Sequence, residues 1–108
     1  MTFTELDGAI AATGRRALAA HLISTLLDNL DNDQDGIDLD AYELSSGYVR
    51  TNIRAVSQSL RQAGIVDVYY YRTPAPEQSR ILTQIAAGGR WTKQHYRLSN
   101  DVRTLFRR

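Results

Sequence analysis

The chain has 108 residues, which allows one domain around a single core; with 43% hydrophobic and 23% charged residues it has the composition of a globular protein and not of a disordered one. It contains no cysteine, which excludes disulfides and thiolate-held metals and fits a reducing cytoplasm. No run approaches the roughly 18 apolar residues of a membrane span, so a cytoplasmic protein without membrane attachment is expected. The formal net charge of +1 hides a division: residues 1–49 hold nine Asp and Glu against two Arg, whereas residues 50–108 hold eleven Arg and Lys against three acids. A basic half of this kind points to a polyanionic partner, with nucleic acid the commonest, because Arg and Lys make the phosphate contacts that dominate such binding.

Phe3, Leu6 and Ile10 recur at helical spacing behind Thr2 or Thr4 as caps, with Gly14 as the end or a kink, which predicts a short N-terminal helical extension over residues 1–14. From Arg15 to Leu30, the set Leu18, Leu22, Ile23, Leu26, Leu27 and Leu30 forms the stripe of an amphipathic helix. Asp31 to Gly36 is a run of turn formers. Ile37 and Leu39 then alternate with Asp38 and Asp40 as a short strand, and Asp40 is expected to cap a helix from Ala41 to the break at Ser45, Ser46 and Gly47.

The next helix, from about Tyr48 to Ala63, carries most of the functional signal. With 100° per residue, Val56, Leu60 and Ala63 fall within about 80° of Ile53, while Thr51, Arg54, Gln58 and Arg61 fall on the other side and Arg50 lies at its margin. One face packs and the other offers planar, forked donors that suit phosphates and guanine edges. Gly64 closes this helix, Ile65 to Arg72 reads as a strand rich in β-branched and aromatic residues, and Trp91 to Leu98 reads as its antiparallel mate. Between them, Pro74 and Pro76 end the first strand, Glu77 to Ala87 has the pattern of a short helix, and Gly88-Gly89 supplies a turn. A last helical turn is expected over residues 99–108, capped by Asn100 or Asp101 and carrying Val102, Leu105 and Phe106.

Taken together, residues 15–98 resemble the winged helix-turn-helix family. The carrying residues are Gly36-Ile37-Asp38-Leu39 for the first strand, Ala41-Tyr42-Glu43-Leu44-Ser45-Ser46-Gly47 for a positioning helix and its turn, Val49 to Leu60 for a recognition helix, and Leu60 to Val66 for the passage into the wing. The resemblance implies a single mainly α domain with a small antiparallel β-hairpin (α+β) that binds double-stranded DNA as a small transcriptional regulator, with the recognition helix in the major groove. Arg50 or Arg54 then suits guanine O6 and N7, Asn52 or Gln58 suits adenine, Ser45, Ser46 and Thr51 suit phosphates near the turn, and Arg61 stands with Arg54 on the DNA-facing side. Asn52 lies at about −100° on the wheel, which equally fits a capping or turn role. Arg72, Arg80, Arg90 and Lys93 sit on or beside the wing, within reach of phosphates or the minor groove. A homodimer is expected, because paired half-sites double the base contacts of so small a module; Phe3, Leu6, Ile10, Val102, Leu105 and Phe106 either form its surface or complete the core.

The sequence departs from the family at the wing, where an insertion over residues 73–90 replaces a tight loop. Tyr69, Tyr71 and Trp91 offer a stacking platform for unpaired bases or, in the plainer reading, cross-strand packing. Asp31, Asp33, Asp35 and Gly36 match positions one, three, five and six of a calcium-binding EF-hand loop, but Tyr42 stands where the closing bidentate Glu belongs, so a solvated turn is expected and no metal or other cofactor. His21 and His95 have no nucleophile or carboxylate at a motif spacing, and no enzyme is expected. Two other functions fit the same residues: a winged-helix module that docks an acidic protein partner, and a DNA-binding protein of plasmid partition or replication.

Overall fold

The computed structural model describes residues 1–71 and 93–108. Helix α1 (Phe3–Ala12) starts at a capping box: the Glu5 backbone N–H donates to Thr2 Oγ1 at 3.1 Å and the Thr2 N–H donates to the Glu5 carboxylate at 3.0 Å. Helix α2 (Arg16–Asp31) buries the expected stripe through Leu18, Leu22, Ile23 and Leu26, with Ala19 between them. The aspartate turn then carries the chain through Asp33 and Gly36, both at positive φ, into β1 (Ile37–Asp38). Helix α3 (Leu39–Ser46) ends at Gly47, whose left-handed backbone (φ 78°) lets its N–H donate to the Glu43 carbonyl at 3.1 Å. After the turn come α4 (Arg50–Gln62), β2 (Val66–Tyr71), β3 (Lys93–Leu98) and α5 (Asn100–Leu105).

The strands form one antiparallel sheet in the order β1-β3-β2, so β3 is central. Val66 opposite Leu98 and Val68 opposite Tyr96 turn one face toward the helices, while Asp67 opposite Arg97 and Tyr69 opposite His95 lie on the other. The helix-facing side joins Leu6, Leu22, Leu26, Leu39, Tyr42, Ile53, Leu60, Ile65 and Val102 in one buried cluster. The architecture is thus mainly helical with a small three-stranded antiparallel sheet (α+β). None of the described helices is long and apolar enough to cross a membrane.

Several boundaries differ from the sequence reading, each for a local reason. The strand expected through Asp40 stops at Asp38, because Leu39 turns into the core (1% exposed) as the first residue of α3. Asp40 therefore lies inside the first helical turn and does not cap it; its carboxylate is taken by cations described below. Tyr48 and Val49 belong to the turn and α4 begins at Arg50, while Ala63, expected in the buried stripe, is an exposed C-cap residue. Ser99, not Asn100 or Asp101, caps α5. Of the terminal apolar residues, Leu6 and Val102 are interior and Ile10, Leu105 and Phe106 pack partly against the core; Phe3 meets Phe106 edge to face at 5.4 Å and stays 58% exposed. The predicted helix from Glu77 to Ala87, the Gly88-Gly89 turn and Trp91 fall outside the described residues.

Among the described glycines, Gly36 is the most closely packed. With φ at 100°, a Cβ there would lie 2.3 Å from the Tyr96 carbonyl oxygen and 2.6 Å from His95 Nε2. Gly64, at φ 75°, has nothing within 4 Å of such a Cβ. Gly64→Ala is therefore expected to cost about 1–2 kcal/mol from backbone strain alone, and Gly36→Ala clearly more, on the order of 3 kcal/mol. Urea unfolding of the two variants checks the order.

Candidate nucleic-acid interface

Helix α4 separates its two sides sharply. Ile53, Val56 and Leu60 are buried, and so is Ser57, which sits among them and donates to the Arg54 carbonyl at 3.0 Å. Burial pushes the Tyr96 phenol up to about 12, so it stays protonated and donates to Gln94 Oε1 at 2.7 Å. On the opposite side Thr51, Arg54, Gln58 and Arg61 are all exposed. Arg54 and Arg61 make no ion pair and no side-chain hydrogen bond among the described residues. Both residues are exposed.

Arg50 and Lys93 are placed differently. One carboxylate, that of Asp40, takes both: Oδ1 accepts from Arg50 Nη2 and Oδ2 accepts from Lys93 Nζ. Glu43, one turn further along α3, accepts from Arg50 Nε and Nη2 at 3.4 Å. Three elements meet at this corner: the first turn of α3, the first residue of α4 and the first residue of β3. The hydrogen bond from Lys93, then that from Arg50, holds the Asp40 carboxyl below the usual carboxylate range against the smaller opposing effect of burial.

The remaining sequence candidates scatter. Asn52 lies off the arginine face, lining an open recess of about 310 Å³ with Gly14 to Leu18 and Tyr48. Ser46 Oγ accepts from the Tyr48 N–H at 3.2 Å and Ser45 Oγ donates to the Tyr42 carbonyl at 3.4 Å, so both hydroxyls shape the turn. Around the same turn Leu44 and Val49 stay 88% and 61% exposed. Leu44 follows from the early helix start: with Leu39 facing inward, a residue five positions on points about 140° away. Arg72, Arg80 and Arg90 lie outside the described residues.

The aspartate turn faces the chain's own cations. Asp31 and Arg108 form a two-pronged pair at 2.8 and 2.9 Å, Asp35 approaches Arg97 at 3.9 Å and Arg103 at 4.0 Å, and Asp38 meets His95 Nδ1 at 2.6 Å. The other ring nitrogen of His95 faces the Asp35 carbonyl at 3.1 Å. His21 is engaged separately, by the hydroxyl of buried Tyr42 at 2.7 Å. Among the described residues no three His, Asp or Glu converge as metal ligands. Of the aromatic set, Tyr71 is buried and half-buried Tyr69 carries the Arg97 guanidinium 4.7 Å above its ring.

The lowered Asp40 value sets a pH dependence. A carboxyl whose folded value lies below its unfolded value of about 4 adds stability that is complete above that range and is lost as pH falls through the folded value. Asp40→Asn is expected to be slightly less stable than the parent near pH 6, by under about 1 kcal/mol because the pair is well solvated, and to lose less on going from pH 5 to pH 2. Thermal melts across that range read the difference.

Comparison of the chain with family models, with curated proteins and with solved structures gives no match.

Proposed function

We propose that this chain is a winged helix-turn-helix domain that binds double-stranded DNA with sequence preference and acts as a small transcriptional regulator. In this reading α4 enters the major groove and the β2–β3 hairpin meets the backbone. The observation that carries it is the outward row of Thr51, Arg54, Gln58 and Arg61 on a helix whose reverse side is buried, with the two arginines unpaired among the described residues. The element order from α2 to β3, with a tight α3–α4 turn closed by Gly47, supports the same reading. Arg54 is one turn into α4, where a bidentate bond to guanine is the natural use of a free guanidinium, and Gln58 one turn later suits adenine. Arg61, near the far end of the helix, is the phosphate contact. Two copies on paired half-sites complete the proposal, with the exposed ring of Phe3 as the apolar part of the terminal helices left uncovered.

A salt titration of binding to duplex DNA tests it. Affinity for a random-sequence duplex should fall log-linearly with salt, and Arg61→Ala should lower the slope by roughly 1 for all sequences alike. Arg54→Ala should instead relax preference within a duplex selected from a random pool, by about tenfold or more at one position. Negligible duplex binding at about 50 mM salt would replace this proposal with a protein-docking role for the same fold.

A further inference from the structure

We infer that Asp40, seconded by Glu43, is an internal substitute for a DNA phosphate: it withholds Arg50 and Lys93 from loosely placed duplex and yields them only when a well-seated duplex takes its place, which makes it a specificity-determining residue of the interface. The inference rests on the DNA-binding reading above. Its ground is that both oxygens of one carboxylate are spent on cations from two separate elements, the start of α4 and the start of β3. In the proposed docking these are the end of the recognition helix nearest the DNA and the base of the wing. A carboxylate there presents to Arg50 and Lys93 the charged oxygens that a phosphate would present.

The cluster is built to exchange partners. Side-chain exposure is 38% for Arg50, 42% for Asp40, 38% for Glu43 and 33% for Lys93, so all four are open to an incoming anion. Ion pairs this exposed are weak, and replacing carboxylate by phosphate at each cation costs little once the duplex is close. Before that, the paired cations add little to the field that attracts any duplex, and random sequence is held chiefly by cations such as Arg54 and Arg61. Discrimination then comes partly from an element that opposes the wrong ligand and not only from contacts to the right one. Asp40 is ionised throughout the neutral range, as any carboxyl near its ordinary value of about 4 is, and Lys93 and Arg50 only lower it further, so the restraint is constant at physiological pH.

The experiment compares the full chain with Asp40→Asn on two probes, a random-sequence duplex and a duplex selected from a random pool, each titrated with salt. Asp40→Asn is expected to bind the random duplex about tenfold more tightly near 150 mM salt, with a slope steeper by roughly 1–2, and to gain less on the selected duplex, so that the ratio between them narrows. Glu43→Gln should shift binding in the same direction by less. Lys93→Gln should flatten the slope more in the Asp40→Asn background than in the parent, the coupling expected if Asp40 occupies Lys93. If Asp40→Asn binds random duplex equally or more weakly with an unchanged slope, Asp40 is a structural brace and the inference is overturned. Should Asp40→Asn fail to fold by circular dichroism, the Glu43→Gln slope decides by the same criteria. A parent that binds neither duplex overturns the DNA-binding reading itself, a result distinct from failure of Asp40 alone.

Discussion

The packing of α4 against β2, α2 and the core cluster governs what this protein can present to a partner. Tyr96 of β3 is wholly buried and its hydroxyl donates to Gln94 Oε1, while Ser57 of α4 is buried and donates to the Arg54 carbonyl of its own helix. With Ile53, Val56 and Leu60 packed in the same cluster, the helix cannot roll without exposing a large apolar side chain or stranding a buried hydroxyl. The rotation of α4 about its own axis is thereby fixed. Which guanidinium groups point outward is a consequence of that packing and of no contact they make themselves.

The charge division in the sequence does not survive as two oppositely charged lobes. Asp31, Asp35 and Asp38 meet Arg108, Arg97, Arg103 and His95, so the acidic turn and the basic C-terminal part largely neutralise each other around the β1–β3 edge. Asp40 and Glu43 do the same to Arg50 and Lys93. On α4, Arg54 and Arg61 stay exposed and without an ion pair among the described residues. Field shape here follows from subtraction as much as from the number of arginines.

Helical periodicity made α2 and the two sides of α4 legible, because residues on one face repeat within a few positions and the core selects for them. Ser57 escaped notice for the opposite reason: it is a polar residue in the middle of the apolar stripe, where its hydroxyl donates to the Arg54 carbonyl of its own helix. The placement of Asn52 away from the arginine row was readable from its wheel angle, and its half-buried position beside Tyr48 and the start of α2 accords with that angle. The roles of Asp38 and Asp40 were not readable. Their partners lie 57 and 53 positions away, and the turn chemistry that suggests a cap is local, whereas the ion pairs that override it are tertiary. The wing arginines stay at the level of sequence.

Gly36 gives the short first strand an importance out of proportion to its two residues. A backbone that approaches Tyr96 too closely for any side chain admits one alignment of β1 against β3. That alignment sets Asp38 opposite His95, and the helix that starts immediately after it carries Asp40 within reach of Lys93. A slip of a single position would break both acid–base partnerships at once and drive a carbonyl into the missing side chain's place. Gly36 thus acts as a mechanical index stop: the absence of an atom in a surface turn decides which cation each downstream carboxylate reaches.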